Sequence, residues 1–284
     1  MEYFTEREHG LRPRTIDSST SEADVGLRAI IDTFVGRNFF AEYYPVTCPD
    51  GRGVVGTDVG LLERDANGRN IRWTDAPSES QDQLFDLIEF SFSRLSKPRE
   101  RDYHDYFGHS HLIFDRSEGQ RELRDAVNEV FRRHGLAFEL NGSGRVTRLF
   151  PAEQAAVLNM PFSTGDASLD DLLAAARTKF IDPRPEVRKE ALEKLWDAWE
   201  RLKTLEDPDK KVSVSALVAR TSSQASFREL MEEEAKTLTQ IGNSFMIRHS
   251  EIGRTPIDTS LEIDYLFLRC HGTIMTLLRA SGRA

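Results

Sequence analysis

Two stretches of this sequence gather residues that could do chemistry. The first, GNSFMIRHSEIGR from Gly242 to Arg254, places an amide, an imidazole, a carboxylate and two guanidiniums within a few turns. Such a set suits acid and base work on a phosphodiester: His249 transferring a proton, Arg248 stabilising the developing phosphorane charge, Asn243 orienting, and Glu251 holding the imidazole tautomer. A structural reading stands beside it. Arg and His near a helix C-terminus favour the macrodipole and cap free carbonyls, and Glu251 can simply pair with Arg248 or Arg254. The second stretch, HDYFGHSH, brings His104, His109 and His111 close together, with Asp105 and Asp115 nearby. On a strand His109 and His111 would face the same way, as two metal ligands can, and a carboxylate could complete a site for metal-dependent hydrolysis. Metal sites usually add a ligand at defined long range, so hydrogen bonding along an exposed edge or turn competes with that reading. No metal ligand is assigned and no cofactor is expected. Arg99 and His104 repeat an Arg-to-His spacing, but in what reads as a polar loop.

Other candidates resolve to structure. Trp196, Trp199 and Tyr265 sit at helical spacing and read as packing residues, not as a base-stacking platform. His271 shares a stripe with Phe267, Ile274 and Leu278 and reads as a satisfied core histidine. The glycines between Gly51 and Gly60 are followed by no Gly-Lys-Ser/Thr, which removes a phosphate loop, and no Gly-x-Ser-x-Gly is present. Cys48 and Cys270 are too few and too far apart for a disulfide framework or a four-cysteine zinc site, and both read as ordinary thiols.

The elements that must position these residues are mostly helical. Apolar spacing predicts helices within 20–44, over 80–95 and over 118–134, while the Pro, Gly, Asp and Asn content of 44–77 predicts a long loop with one short strand pair. LAFEL and RVTRL flank Asn141 to Gly144 and predict a hairpin. After a linker with one short helix, amphipathic helices are expected over 168–180, from Pro185 to about Leu205, over 226–248 and, behind a Thr259/Glu262 capping box, to about Leu278. The expected architecture is therefore mainly α: an N-terminal α+β domain with a small hairpin over 1–150, a linker over 151–166, and a C-terminal four-helix bundle over 167–284.

With 39% hydrophobic and 30% charged residues, the 284-residue chain reads as globular, and no apolar run approaches a membrane span, so a cytoplasmic protein without membrane contact is expected. The net charge of −9 argues against gripping nucleic acid through bulk electrostatics. The patches Arg94, Lys97, Arg99, Arg101 and Arg121, Arg124, Arg132, Arg133 are mixed with acidic residues and read as solvated faces. An acidic surface and the 44–77 loop would suit a protein partner.

Longer stretches resemble known families. YFTEREHGLRPRTID, followed by FGHSHLIFDRSEGQRELRDAVNEVFRRHGLAFELNGSGRVTRL, resembles the N-terminal domain of abortive-infection proteins of the AbiJ type. EALEKLWDAWERLKTL and IGNSFMIRHSE resemble a widespread bacterial family whose helical end is similar to a HEPN domain. The resemblance implies phage defence, and a four-helix, often homodimeric HEPN-like bundle that, when active, cuts RNA without a metal through an Arg, four to six residues, His motif near the last interhelical turn. It places Arg248, His249, Asn243 and Glu251 at such a site, with RNA as the partner. The sequence departs from the motif, because His249 is adjacent to Arg248 and no His lies four to six residues beyond it. The alternative implied is a non-catalytic binding or assembly subunit of a defence complex.

Overall fold

The computed structural model describes residues 3–73, 78–247 and 253–284. The chain divides into two compact units, Met1–Leu149 and Phe150–Ala284. The first combines helices with a sheet and the second is helical among its described residues.

In the first unit a short helix α1 (Phe4–His9) precedes α2 (Ser21–Gly36), β1 (Pro45–Thr47), β2 (Val54–Thr57) and α3 (Val59–Gly68). Then come α4 (Gln81–Ser93), β3 (Lys97–His104), β4 (His109–Asp115), α5 (Arg116–Arg133), β5 (Phe138–Leu140) and β6 (Val146–Arg148). Helix starts follow side-chain capping: Thr20 Oγ1 accepts from the Ala23 amide, Asp58 from Leu61 and Asp115 from Glu118. Leu27, Ile31, Leu84, Ile88, Leu123, Val127 and Phe131 recur at helical spacing and meet in one core with Phe39, Phe40 and Phe138. Val25, which shares the α2 spacing, lies off this face and is exposed.

The predicted hairpin is β5–β6, with Leu140 opposite Val146. The 44–77 stretch holds the strand pair β1–β2, and also α3, whose polar sequence hid it. Only Leu62 and Ala66 of α3 are buried, and the Asn-Gly that reads as a loop signal lies at its C-terminal end. Arg99 to His104 lies not in a loop but in β3. That strand pairs with β4 in a four-stranded antiparallel sheet of order β1-β2-β4-β3. The basic patches are largely ion-paired, Lys97 Nζ reaching Glu118 (2.9 Å) and Glu122 (2.7 Å), and Arg132 reaching Glu129 (2.6 Å). α5 lies close on β3 through Gly119, where a Cβ would stand 2.5 Å from the Lys97 backbone nitrogen.

The second unit contains α6 (Ala152–Leu158), α7 (Ala167–Phe180), α8 (Pro185–Leu202), α9 (Lys210–Ala219), α10 (Ala225–Ser244) and α11 (Ser260–Ala280). α9 is a helix beyond the four expected. Its Ser and Val content masks the period, and Asp209 caps it by accepting from the Lys211 and Val212 amides. Trp196 and Trp199 are buried at the centre, the Trp196 indole donating to the Leu238 carbonyl (3.3 Å), and Phe180 stacks on Phe267 with centroids 3.7 Å apart. Tyr265 is instead exposed, its hydroxyl accepting from Arg269 (3.2 Å). His271 is buried, but only half satisfied: Nε2 accepts from Arg177 Nε at 3.2 Å, while Nδ1 has no hydrogen-bond partner. No described helix is long and apolar enough to cross a membrane.

Candidate metal centre

The residues that the fold brings together for chemistry come from three segments: Cys48 from the turn after β1, His104 from the end of β3, and His109 and His111 from β4. One donor atom from each lies within 4.8 Å of every other. Cys48 Sγ is 3.4 Å from His104 Nδ1 and 3.3 Å from His109 Nε2, and the three imidazole centroids are 5.5 to 5.7 Å apart. In a tetrahedral zinc site the S···N edge is about 3.6 Å and the N···N edge about 3.3 Å. The thiol contacts lie near that edge, and the remaining donor pairs lie within 4.8 Å.

Each donor's position has a local cause. The chain between β1 and β2 runs Cys48-Pro49-Asp50-Gly51, with the Gly51 amide donating to the Cys48 carbonyl (2.8 Å). Pro at the second position and Gly at the fourth favour this turn, and the Cys48 amide then bonds the Gly53 carbonyl (2.8 Å), fixing Cys48 at the end of the hairpin. β4 alternation puts His109 and His111 on one face. His104 reaches that face only because β3 is bulged. Arg101 stands opposite His111, but Tyr103 stands opposite Ser110 and His104 opposite His109, so Asp102 is an inserted residue with φ +48°. In an unbulged ladder Tyr103 would oppose His109 and His104 would fall outside the cluster. β2 joins β4 at Val54 and Leu112, which carries the Cys48 turn over His111. Gly53 leaves the room: a Cβ there would lie 2.5 Å from the His111 ring.

The electrostatics fit a cation. His111 Nε2 is buried without a hydrogen-bond partner, a polar atom left waiting for one. Burial, and then the neighbouring Asp50, pushes the Cys48 thiol up, while the bond from that thiol and the Arg52 amide hold Asp50 below the usual carboxylate range. A bound zinc ion would reverse the thiol's preference, since coordination deprotonates it. Asp50 Oδ2 lies 3.5 Å from His104 Nδ1, the same nitrogen that faces Cys48 Sγ, and sets a carboxylate beside the four donors. Phe107 covers the cluster, stacked on His109 at 5.8 Å and edge-on to His104 at 4.9 Å.

Compared with family models, curated proteins and solved structures, the chain matches none.

The structure thus joins the three histidines singled out from sequence with Cys48, which sequence reasoning left as an ordinary thiol. Neither Asp105 nor Asp115 belongs to the donor set; Asp115 caps α5. The signal that could have singled out Cys48 is its place at a Pro-Asp-Gly turn between two short strands, but nothing in the spacing connects residue 48 with residue 104. Cys270 is a buried thiol of the helical core, pushed well up by burial.

Of the other candidate set, Asn243 is exposed in the last turn of α10, and Arg248, His249 and Glu251 lie outside the described residues. α10 ends at Ser244 and Phe245 is extended. The Met246 amide donates to the Thr255 carbonyl (2.9 Å) and the Thr255 amide to the Ser244 carbonyl (3.0 Å), closing the base of the α10–α11 junction. Arg254 Nη1 donates to the Gly242 carbonyl at 3.1 Å, taking one of the free carbonyls of the helix end.

Proposed function

We propose that the N-terminal unit binds one zinc ion through Cys48, His104, His109 and His111, and that the ion is structural, making this unit a rigid binding module. The observation that carries the reading is the convergence of four donors within 4.8 Å. A thiolate with imidazoles is a donor set that zinc favours, and four protein ligands complete its tetrahedron, leaving no position for the water that hydrolysis would need. The ion would clip the β1–β2 turn to the β3–β4 hairpin, and so fix the start of the 44–77 segment, the candidate surface for a protein partner. Elemental analysis of the purified protein should find one zinc per chain, lost in Cys48→Ser. A wild-type protein that is zinc-free and takes up none from a zinc-loaded indicator sinks the proposal.

For the whole chain we propose antiviral defence of the abortive-infection kind, with the helical unit as a HEPN-like, homodimeric part directed at RNA. The family resemblance supports it, together with the Arg254 side chain donating to the carbonyl of Gly242, the residue before exposed Asn243. Arg248 and His249 would act on the phosphodiester with Asn243 and Glu251 in support; a non-catalytic assembly subunit is the alternative. Total RNA incubated with the protein in EDTA should be cut by the wild type and spared by Arg248→Ala, His249→Ala. Equal cutting by both, or none by either, leaves the non-catalytic reading.

A further inference from the structure

The helical unit carries a second feature that neither the metal centre nor the α10–α11 junction uses. A cavity of about 620 Å³ opens between α9 and α10 beside the end of α8, and Lys203, Lys210, Lys211 and Lys236 all line it. The chain has only eight lysines and a net charge of −9, so half of them converge on one cavity of an acidic protein. Against these four, the lining includes a single carboxylate, Glu232.

The lysines are not equivalent. Lys203 is buried, its ammonium held by Glu200 (2.6 Å) and the Thr239 hydroxyl (3.3 Å) and lying 5.8 Å from the Trp199 ring. Lys210 takes the other oxygen of Glu200 at 2.8 Å, so one carboxylate bridges two ammoniums and fixes their spacing. Burial pushes Glu200 up, but these two lysines outweigh it and hold the carboxyl below its usual range. Lys211 has no ion pair among the described residues. The ion pair of Lys236 with Glu233 is 3.3 Å long with both side chains about two-thirds exposed, at 66% and 68%, which makes it weak. Lys203 is therefore ordered by the fold, Lys210, with its side chain 55% exposed, is tied to it through Glu200, and Lys211 and Lys236 are left to a ligand. Val214, Ala235 and the lysine stems supply apolar wall, and the volume falls in the range of small-molecule sites, roughly 300–1,000 Å³.

We propose that this cavity binds a small phosphate-bearing ligand, with Lys211 and Lys236 meeting the phosphates and Lys203 and Lys210, tied through Glu200, supplying the field behind them. Lysine acts on phosphate as a point charge, so several converging ammoniums suit a group bearing more than one negative charge. This proposal does not depend on zinc or on RNA cleavage.

The test is titration of the full chain with inorganic pyrophosphate, with ATP and with a short RNA, followed by calorimetry and by tryptophan fluorescence, since Trp199 lies against Lys203. Pyrophosphate and ATP should each bind saturably and compete. Lys211→Ala, Lys236→Ala, both exposed positions, should weaken both by at least roughly tenfold, while Lys189→Ala, Lys194→Ala, which removes the same charge outside the cavity, should change neither. Tighter binding of ATP than of pyrophosphate would assign the apolar wall to a nucleoside; equal affinity would assign the site to the phosphates alone. Binding of neither, binding of the RNA alone, or equal weakening in the control variant overturns the proposal.

Discussion

In the helical unit the side chains that meet between elements are large and apolar: Trp196 and Trp199 on α8, Phe180 on α7, Phe267 on α11 and Leu238 on α10, all buried. Where the β1–β2 turn meets β3 and β4 the side chains that come together are a thiol and three imidazoles. Burial of apolar surface holds the first arrangement without help, at roughly 25 cal/mol per Å². The second gains little from burial, and it leaves a ring nitrogen of His111 unsatisfied. The same chain thus joins some of its elements by packing and others by chemistry, and a shared cation is the simplest agent that turns the second into a stable contact.

The largest effect is expected at the metal centre. Cys48→Ser should take the zinc content from one per chain toward zero and lower the first thermal transition of the protein, while leaving the helical unit's transition in place; a single unchanged transition would contradict it. Nearly as large an effect is expected from inserting a glycine between Asp102 and Tyr103. All four donors remain, yet the extra residue shifts the register by one and brings Tyr103 opposite His109, and zinc affinity measured by chelator competition should fall on the order of a hundredfold. Unchanged affinity would show that the register at Tyr103 does not position His104.

On the helical side, Trp196→Ala should cost about 3–5 kcal/mol in denaturant melts and leave zinc content untouched. His271 makes the stability of the helical unit depend on pH. Burial first, and the Arg177 charge second, bring its pKa down to about 4, against an ordinary value near 6.5. The unfolded chain therefore takes up a proton that the folded one refuses. Stability from this group is complete above the ordinary value and is lost as pH falls toward 4, by on the order of 3 kcal/mol. In His271→Gln, which cannot titrate but can still accept from Arg177, that part of the pH dependence should vanish when both proteins are compared after chelation. The smallest effect is expected at Thr259, whose hydroxyl accepts from the Glu262 amide (3.2 Å) in a capping box; Thr259→Ala should cost about 1 kcal/mol.

Most helices were legible because their apolar period and their caps agree. The Thr259/Glu262 box, Pro185 at the start of α8 and the stripe from Leu192 to Leu202 all state their structure locally. α3 and α9 were not, because each buries so few apolar side chains that polar and small residues dominate the reading; Leu62 and Ala66 are buried in α3, and Ser213, Leu217 and Val218 in α9. The metal centre was legible only in part. His109 and His111 announce a shared strand face two residues apart, whereas the place of His104 depends on an inserted residue that no propensity marks.

What the sequence determined alone is what short-range physics determines: helical periods, caps, the β5–β6 turn, and a pair of histidines facing the same way. What the tertiary structure decided is everything that depends on which strand lies beside which. Cys48 stands 56 residues before His104, and no histidine or second cysteine lies near it in sequence. It becomes a fourth donor only because β2 joins β4, and that choice is made by the sheet as a whole and not by the residues around Cys48.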